Sequence, residues 1–311
     1  MDYALLPLSL YHLFHLVFTE LLYVSEAANF FFMLLGGLRP DWKCDNLTDW
    51  RQVCRVVRAN RSACRNFKET WQFFSVAVEW DLLCEREVLI YAITALQMVG
   101  LCFGWLAGAS LCKRYGRRKT LLLSSLVLLI IGSLIAVCRC WISFATFRFF
   151  IGFILAIQMV SSAKLLCELT PPKDRLWFTA IISRHSGVVA FASLAYLLQD
   201  WRKLTLFTNL AAFPGILMLC CAHESPSWLI EQEKFERAKD VLLTISAKDP
   251  KDRHAMQKLS AELDYFIQNE RNANIQQPKH QLGYRQLLRT KARAQQTALL
   301  GFLWSVFIKF A

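Results

Sequence analysis

Charge is scarce in this 311-residue chain: Asp, Glu, Lys and Arg make up 19% of it, against about 25% in a soluble domain. So little charge excludes a disordered tail, and the composition fits neither a fibrous repeat nor a small disulfide-stapled secreted domain. The sequence has no nucleophile motif, no His-Glu-x-x-His, no phosphate loop and no Cys-x-x-Cys. Nothing in it argues for catalysis, and neither a metal nor a cofactor is expected. Acidic residues are the scarcer sign, 24 against 36 Lys and Arg, for a net charge of +12. With long apolar runs present, that excess reads as loop charge facing anionic lipid, not as a nucleic-acid footprint.

What the chain has in abundance is apolar side chains, 55% of the total, gathered into runs long enough to cross a bilayer, which takes about 20 residues. Val88–Cys112, Leu121–Cys138 and Leu204–Ala222 carry no charge. Ile142–Leu169 holds Arg148, Lys164 and Glu168; Leu176–Leu198 holds Arg184 and His185; the first stretch, about Tyr11–Leu38, holds Glu20 and Glu26. That first stretch lacks a basic leader and a small-residue cleavage site, so it is a spanning helix and not a signal peptide. A further run begins near Thr297 and is cut at Ala311. The reading is six complete spans and a fragment of a seventh.

The connection Lys113–Lys119 has five basic residues and no acid, which places it in the cytoplasm, as it does the N-terminus. The segment 40–87 then lies outside. Two sequons, at Asn46 and Asn60, and four cysteines, Cys44, Cys54, Cys64 and Cys84, fall in that one segment, where glycosylation and disulfides are possible. Four cysteines allow three connectivities. From His223 to about Gln295 the chain is polar; Ser225-Pro226 reads as a cap with proline in the first turn. Leu229, Ile230, Val241, Leu242 and Ile245 then predict an amphipathic helix at the cytoplasmic surface. The divisions are a first helix within 1–39, the loop 40–87, helices two to six over 88–222, a linker 223–295 and the seventh-helix fragment 296–311.

Gly100, Gly104 and Gly108 share one face of the second span and predict a close helix contact. After it comes Ala109-Ser110-Leu111-Cys112-Lys113-Arg114-Tyr115-Gly116-Arg117-Arg118. This resembles the Gly-x-Leu-x-Asp-Arg-x-Gly-Arg-Arg signature between helices two and three of the major facilitator superfamily. Glu79-Trp80-Asp81-Leu82-Leu83-Cys84 and Pro40-Asp41-Trp42-Lys43-Cys44 resemble the two ends of the extracellular loop in organic cation, carnitine and organic anion transporters (solute carrier family 22). Glu168 with Arg175, Asp200-Trp201-Arg202, His223-Glu224-Ser225-Pro226-Ser227-Trp228-Leu229 and Leu287-Leu288-Arg289-Thr290 resemble later landmarks of that family. The Ser-Pro motif alone would also fit sugar transporters; the cysteine-rich sequon loop argues for the organic-ion family.

The resemblance implies an all-α membrane protein: the six-helix N-terminal half of a major facilitator fold, two three-helix repeats, with a truncated seventh helix. It implies a plasma-membrane carrier of small organic ions working by alternating access, with the lipid bilayer and a C-terminal half as partners. Cations are slightly favoured over anions or carnitine-like zwitterions. A non-transporting relative acting as an interaction or regulatory protein is the alternative, and a seven-helix receptor a distant third. The resemblance further implies a cytoplasmic ion-pair gate, here Lys113, Arg114, Gly116, Arg117, Arg118, Glu168, Arg175 and Glu224. Lys113 stands where the family has an acid and cannot replace a carboxylate.

Ionisable residues within spans are costly and mark pathways. Glu26, Lys164, Arg184 and His185 are the candidates for the substrate path. Lys164 and Glu168, four residues apart, are expected to pair with each other. Arg184 needs a carboxylate from Glu20 or Glu26, with Glu26 preferred. Arg148 is expected to snorkel at the outer end of its helix, and His185 alone reads more simply as a packed neutral histidine.

Overall fold

The computed structural model describes residues 10–43, 50–59, 68–70, 72–170 and 184–247, and singly 261, 264, 265, 268 and 295, all five helical. The chain divides into two compact units, Met1–Met256 and Gln257–Ala311. Every element named below lies in the first.

Within lipid a backbone must satisfy its own hydrogen bonds, which only a helix or a closed barrel achieves. The apolar runs accordingly fold as α1 (Leu10–Gly36), α4 (Val88–Tyr115), α5 (Arg117–Leu134), α6 (Trp141–Leu169), α7 (Arg184–Leu198), α8 (Trp201–Leu210) and α9 (Phe213–Cys221). Five stretches are long and apolar enough to cross a bilayer: Leu13–Gly36, Cys84–Tyr115, Arg117–Val137, Trp141–Leu169 and Trp201–Cys221. The last is α8 and α9 together, interrupted at Ala211–Ala212, with Pro214 in the first turn of α9 where no amide partner is needed. Of the expected span Leu176–Leu198, the described part is the shorter apolar helix Ser186–Leu198. The expected seventh-helix fragment lies outside the described residues.

The core is centred on α6, whose Phe144, Ile151, Leu155 and Ala156 are buried with Phe32 of α1, Leu101 of α4, Leu128 of α5 and Trp201 of α8. α4 buries one stripe, including Gln97, Gly100, Gly104 and Gly108, while Tyr91, Phe103 and Leu106 are exposed. The stripe is the expected glycine face. A side-chain carbon on Gly100 would run into the Phe149 carbonyl, and one on Gly104 into that of Phe153. Only glycine lets α4 and α6 approach this closely.

Between α1 and α4 the loop forms a small cap. β1 (Asp41–Lys43) pairs antiparallel with β2 (Lys68–Thr70), Trp42 opposite Glu69. Between them lies α2 (Trp50–Ala59), and after them α3 (Val76–Glu79). Ser75 caps α3 and also donates to the Leu38 carbonyl at 2.7 Å, fastening the loop to the end of α1. Of the three possible connectivities, the structure forms Cys54–Cys84, which ties α2 to the entry of α4. Cys44, Cys64, Asn46 and Asn60 lie outside the described residues.

After α9 the single expected amphipathic helix is two: α10 (Pro226–Glu231) and α11 (Phe235–Ala247). Glu233 adopts a left-handed φ of 59° and the Lys234 amide closes on the Leu229 carbonyl at 2.9 Å. The reversal lets Trp228 and Leu229 bury themselves against Ala238, which a continuous helix would hold apart.

Candidate functional site

The α4–α5 turn is one residue, Gly116, at φ 103°, a conformation that L side chains rarely adopt. A side-chain carbon there would also lie 2.6 Å from an oxygen of Glu224. The other oxygen of Glu224 accepts from the Arg118 amide at 2.8 Å and the Ser225 amide at 3.2 Å. A carboxylate therefore sits on the free amides that open α5, where the helix dipole favours it.

The buried Arg117 forms a two-way bridge. Its Nε donates to Glu168 of α6 at 3.0 Å, and its Nη2 pairs with Glu168 at 2.9 Å and with Glu231 of α10 at 3.1 Å. Ser225 Oγ, the cap of α10, donates to the second oxygen of Glu168. Arg118 Nε donates to the Leu219 carbonyl at 3.2 Å, and its Nη2 to that of Cys220. Trp228 donates to the Lys113 carbonyl at 2.9 Å, and the His223 amide to the Tyr11 hydroxyl at 3.0 Å. One cluster thus joins the ends of α1, α4, α5, α6, α9 and α10.

Of the residues expected here, Gly116, Arg117, Arg118, Glu168 and Glu224 come together, and Arg175 lies outside the described residues. Lys113 and Arg114 are exposed; Lys113 contributes only its carbonyl, and the Arg114 guanidinium lies 5.5 Å from the Tyr115 ring centre. The expected Lys164–Glu168 pair does not form. Arg117 offers Glu168 two donors from a buried position, and Lys164 stays half-buried with no ion pair among the described residues. Sequence reading missed Tyr11, Ser225, Trp228 and Glu231. Ser225 carried a signal as a cap; Glu231 carried none, because its partner Arg117 lies 114 residues away in the sequence.

Inside the helices Glu26 is fully buried and accepts from Ser162 of α6 at 3.3 Å. Arg184 and His185 open α7, their side chains outside the described residues; the next residue, Ser186, donates to Glu20. The start of α7 therefore lies beside Glu20. Arg148 does not snorkel. It is fully buried, its guanidinium 3.9 Å from the Phe32 ring centre and 5.1 Å from that of Phe144. The central position of α6 leaves this side chain no path to water, so it turns onto the α1 face instead. Its Nη1 reaches the Asn29 carbonyl at 3.4 Å, and Gln97 of α4 donates to the same carbonyl at 3.0 Å. The Asn29 side chain donates to Asn209 of α8 at 2.9 Å, which also accepts from Ser25 at 3.2 Å. Asn29 thus gathers α4, α6 and α8 onto α1. These neutral amides gave no sequence signal, since nothing in their spacing separates them from ordinary polar residues.

At the opposite end, Trp201 is fully buried and donates to Glu79 of the loop at 2.6 Å, while Arg202 Nε donates to the same carboxylate at 3.1 Å. Phe74 forms a parallel bridge with Asp200: its amide donates to the Gln199 carbonyl at 2.8 Å, and its carbonyl accepts from the Trp201 amide at 3.1 Å. The loop is thereby stitched to the start of α8.

Known proteins resemble this chain in sequence and in fold. The sugar (and other) transporter family matches residues 59–310. Solute carrier family 22 member 23 of Mus musculus is 33% identical over 180 residues, 56% of this chain and 26% of that protein. Solute carrier family 22 member 7 of Bos taurus is 32% identical over 196 residues, 60% of this chain and 36% of that protein. The matched stretch thus spans about a quarter to a third of the length of these relatives. Among solved structures, the proton:xylose symporter XylE bound to 6-bromo-6-deoxy-D-glucose superposes with a TM-score of 0.56 at 16% identity, covering 84% of this chain and 54% of XylE. Its partially occluded inward-open form gives 0.54 at 16% identity, covering 85% and 61%. A multi-pass membrane protein of the major facilitator type, the chain belongs to the sugar (and other) transporter family, with relatives in solute carrier family 22.

Proposed function

We propose that these residues form the N-terminal half of a plasma-membrane carrier that moves small organic cations by alternating access, rocking against a second half-fold. In this reading the Gly116 turn and the N-terminus face the cytoplasm, and the cystine-bearing loop, glycosylated at Asn46 and Asn60, faces outside. The observation that carries it is the Arg117 bridge. A guanidinium shared between Glu168 and Glu231 at helix ends can exchange partners as helices tilt, so two states differ in energy by contacts and not by refolding. Major-facilitator substrates bind near the midplane, where Glu26 is the buried carboxylate of α1. The aromatic rings engage the charge of Arg148, so we assign the substrate's charged partner to Glu26 and take the cargo as cationic. Lys164, Arg184 and His185 are secondary candidates for the path.

The experiment is uptake. Cells expressing the protein should accumulate a labelled quaternary ammonium saturably, and Glu26→Gln should abolish most of that uptake while surface expression is kept. Preference for a labelled aromatic carboxylate would overturn the cationic assignment. Surface-expressed protein that moves neither would overturn transport and leave an interaction protein.

A further inference from the structure

A cavity of about 270 Å³ opens between the start of α5 and the α10–α11 hairpin. Four cations line it, Arg118, Lys119, Lys234 and Arg237, against two acids, Glu224 and Asp240. Two of these six are already committed. One oxygen of Glu224 holds the amides of Arg118 and Ser225, and the Arg118 guanidinium caps the carbonyls of Leu219 and Cys220. That leaves three cations, Lys119, Lys234 and Arg237, each exposed and none in an ion pair among the described residues, against one acid, Asp240. Three cations against one acid leave this concavity with a net positive charge, which suits a multiply charged anion.

The position of the cavity selects the kind of anion. α5 turns apolar at Leu121, two residues after Lys119, and Leu123 is exposed. Leu219 and Cys220, which Arg118 touches, end the apolar α9. The cavity therefore lies at the depth where spanning helices leave hydrocarbon. Trp228 lines it from a buried position, with the Lys234 amine 5.2 Å from its ring centre. We propose that this cavity binds the phosphorylated headgroup of an inner-leaflet phosphoinositide. The lipid would bridge α5 to the hairpin beside the Arg117 cluster, so its binding would bear on the gate. The proposal rests on the cytoplasmic orientation proposed above.

The test uses the full chain purified in detergent, where both faces are accessible and orientation does not matter. A fluorescent phosphatidylinositol bisphosphate should bind saturably by anisotropy. Replacing Lys119, Lys234 and Arg237 together by Ala should weaken it on the order of a hundredfold, at roughly fivefold per cation. Lys203→Ala, at the other end of the molecule, should bind like wild type. Equal binding by the triple variant would overturn the site. Soluble inositol trisphosphate competing as well as the lipid would overturn the lipid assignment, and phosphatidylserine competing equally would reduce it to general surface charge. Labelling of Lys119 on intact cells by an impermeant amine reagent would instead overturn the orientation alone, so the two failures are distinguishable.

Discussion

Arg202 of α8 reaches across to Glu79 of the loop and binds its carboxylate through both Nε and Nη2. The same guanidinium also caps the chain after α5, donating to the Cys138 carbonyl at 2.6 Å and to that of Ala136. Glu79 in turn accepts from the buried Trp201 indole. Two landmarks 123 residues apart are therefore one structure.

Breaking this clamp should loosen the loop from the helices. Arg202→Ala or Glu79→Gln should each cost about 1–3 kcal/mol, short of the value for a fully buried pair because both side chains keep some contact with water. In a double-mutant cycle on thermal unfolding in detergent the two should couple by about 1–2 kcal/mol. Strictly additive costs would mean that the two side chains act separately.

A second expectation concerns Cys140, an exposed free thiol between α5 and α6. Hydrogen bonding from the Ser143 hydroxyl, 3.1 Å away, lowers its pKa below the ordinary thiol value. The thiolate is the reactive form, and a lowered pKa populates it at lower pH. The rate of alkylation should then rise with a midpoint below that of a typical cysteine, and Ser143→Ala should move the midpoint up. An impermeant maleimide applied to intact cells reads the orientation as well. Labelling of Cys140 fits the loop end outside, whereas exclusive labelling of Cys220 and Cys221 would invert the proposed topology.

The glycine face of α4 was legible because small residues at four-residue spacing have one mechanical use, and the structure places Gly100 and Gly104 against carbonyls of α6. The Gly116 turn was legible for a similar reason: a single residue linking two helices needs a backbone angle that glycine supplies. Partner choice was not. Lys164 lies one turn from Glu168 in sequence, yet Arg117, 51 residues away, takes that carboxylate. Local spacing measures only what lies along one helix, and competition from another helix is invisible to it. Arg148 was misread for the same reason. Nearness to a helix end suggested an escape to water, but neighbours from α1 close that route.

Arg148 supplies the sharpest separation of stability from function. A guanidinium buried in apolar surroundings loses its hydration, and among the described residues neither its Nε nor its Nη2 has a hydrogen-bond partner. No ion pair forms at it among the described residues; one 3.4 Å bond to a carbonyl and the two ring contacts are what offset that loss. A ring contact contributes about 2 kcal/mol when desolvated, less than the several kcal/mol that burying an ion costs. Arg148→Met, of similar length and apolar, should therefore leave thermal stability unchanged or raised. If the residue persists for transport, the same variant should lose at least about tenfold in uptake, a barrier of roughly 1.4 kcal/mol. A large drop in melting temperature for Arg148→Met would show instead that the aromatic sandwich outweighs the desolvation and that the arginine is a structural pin between α1 and α6.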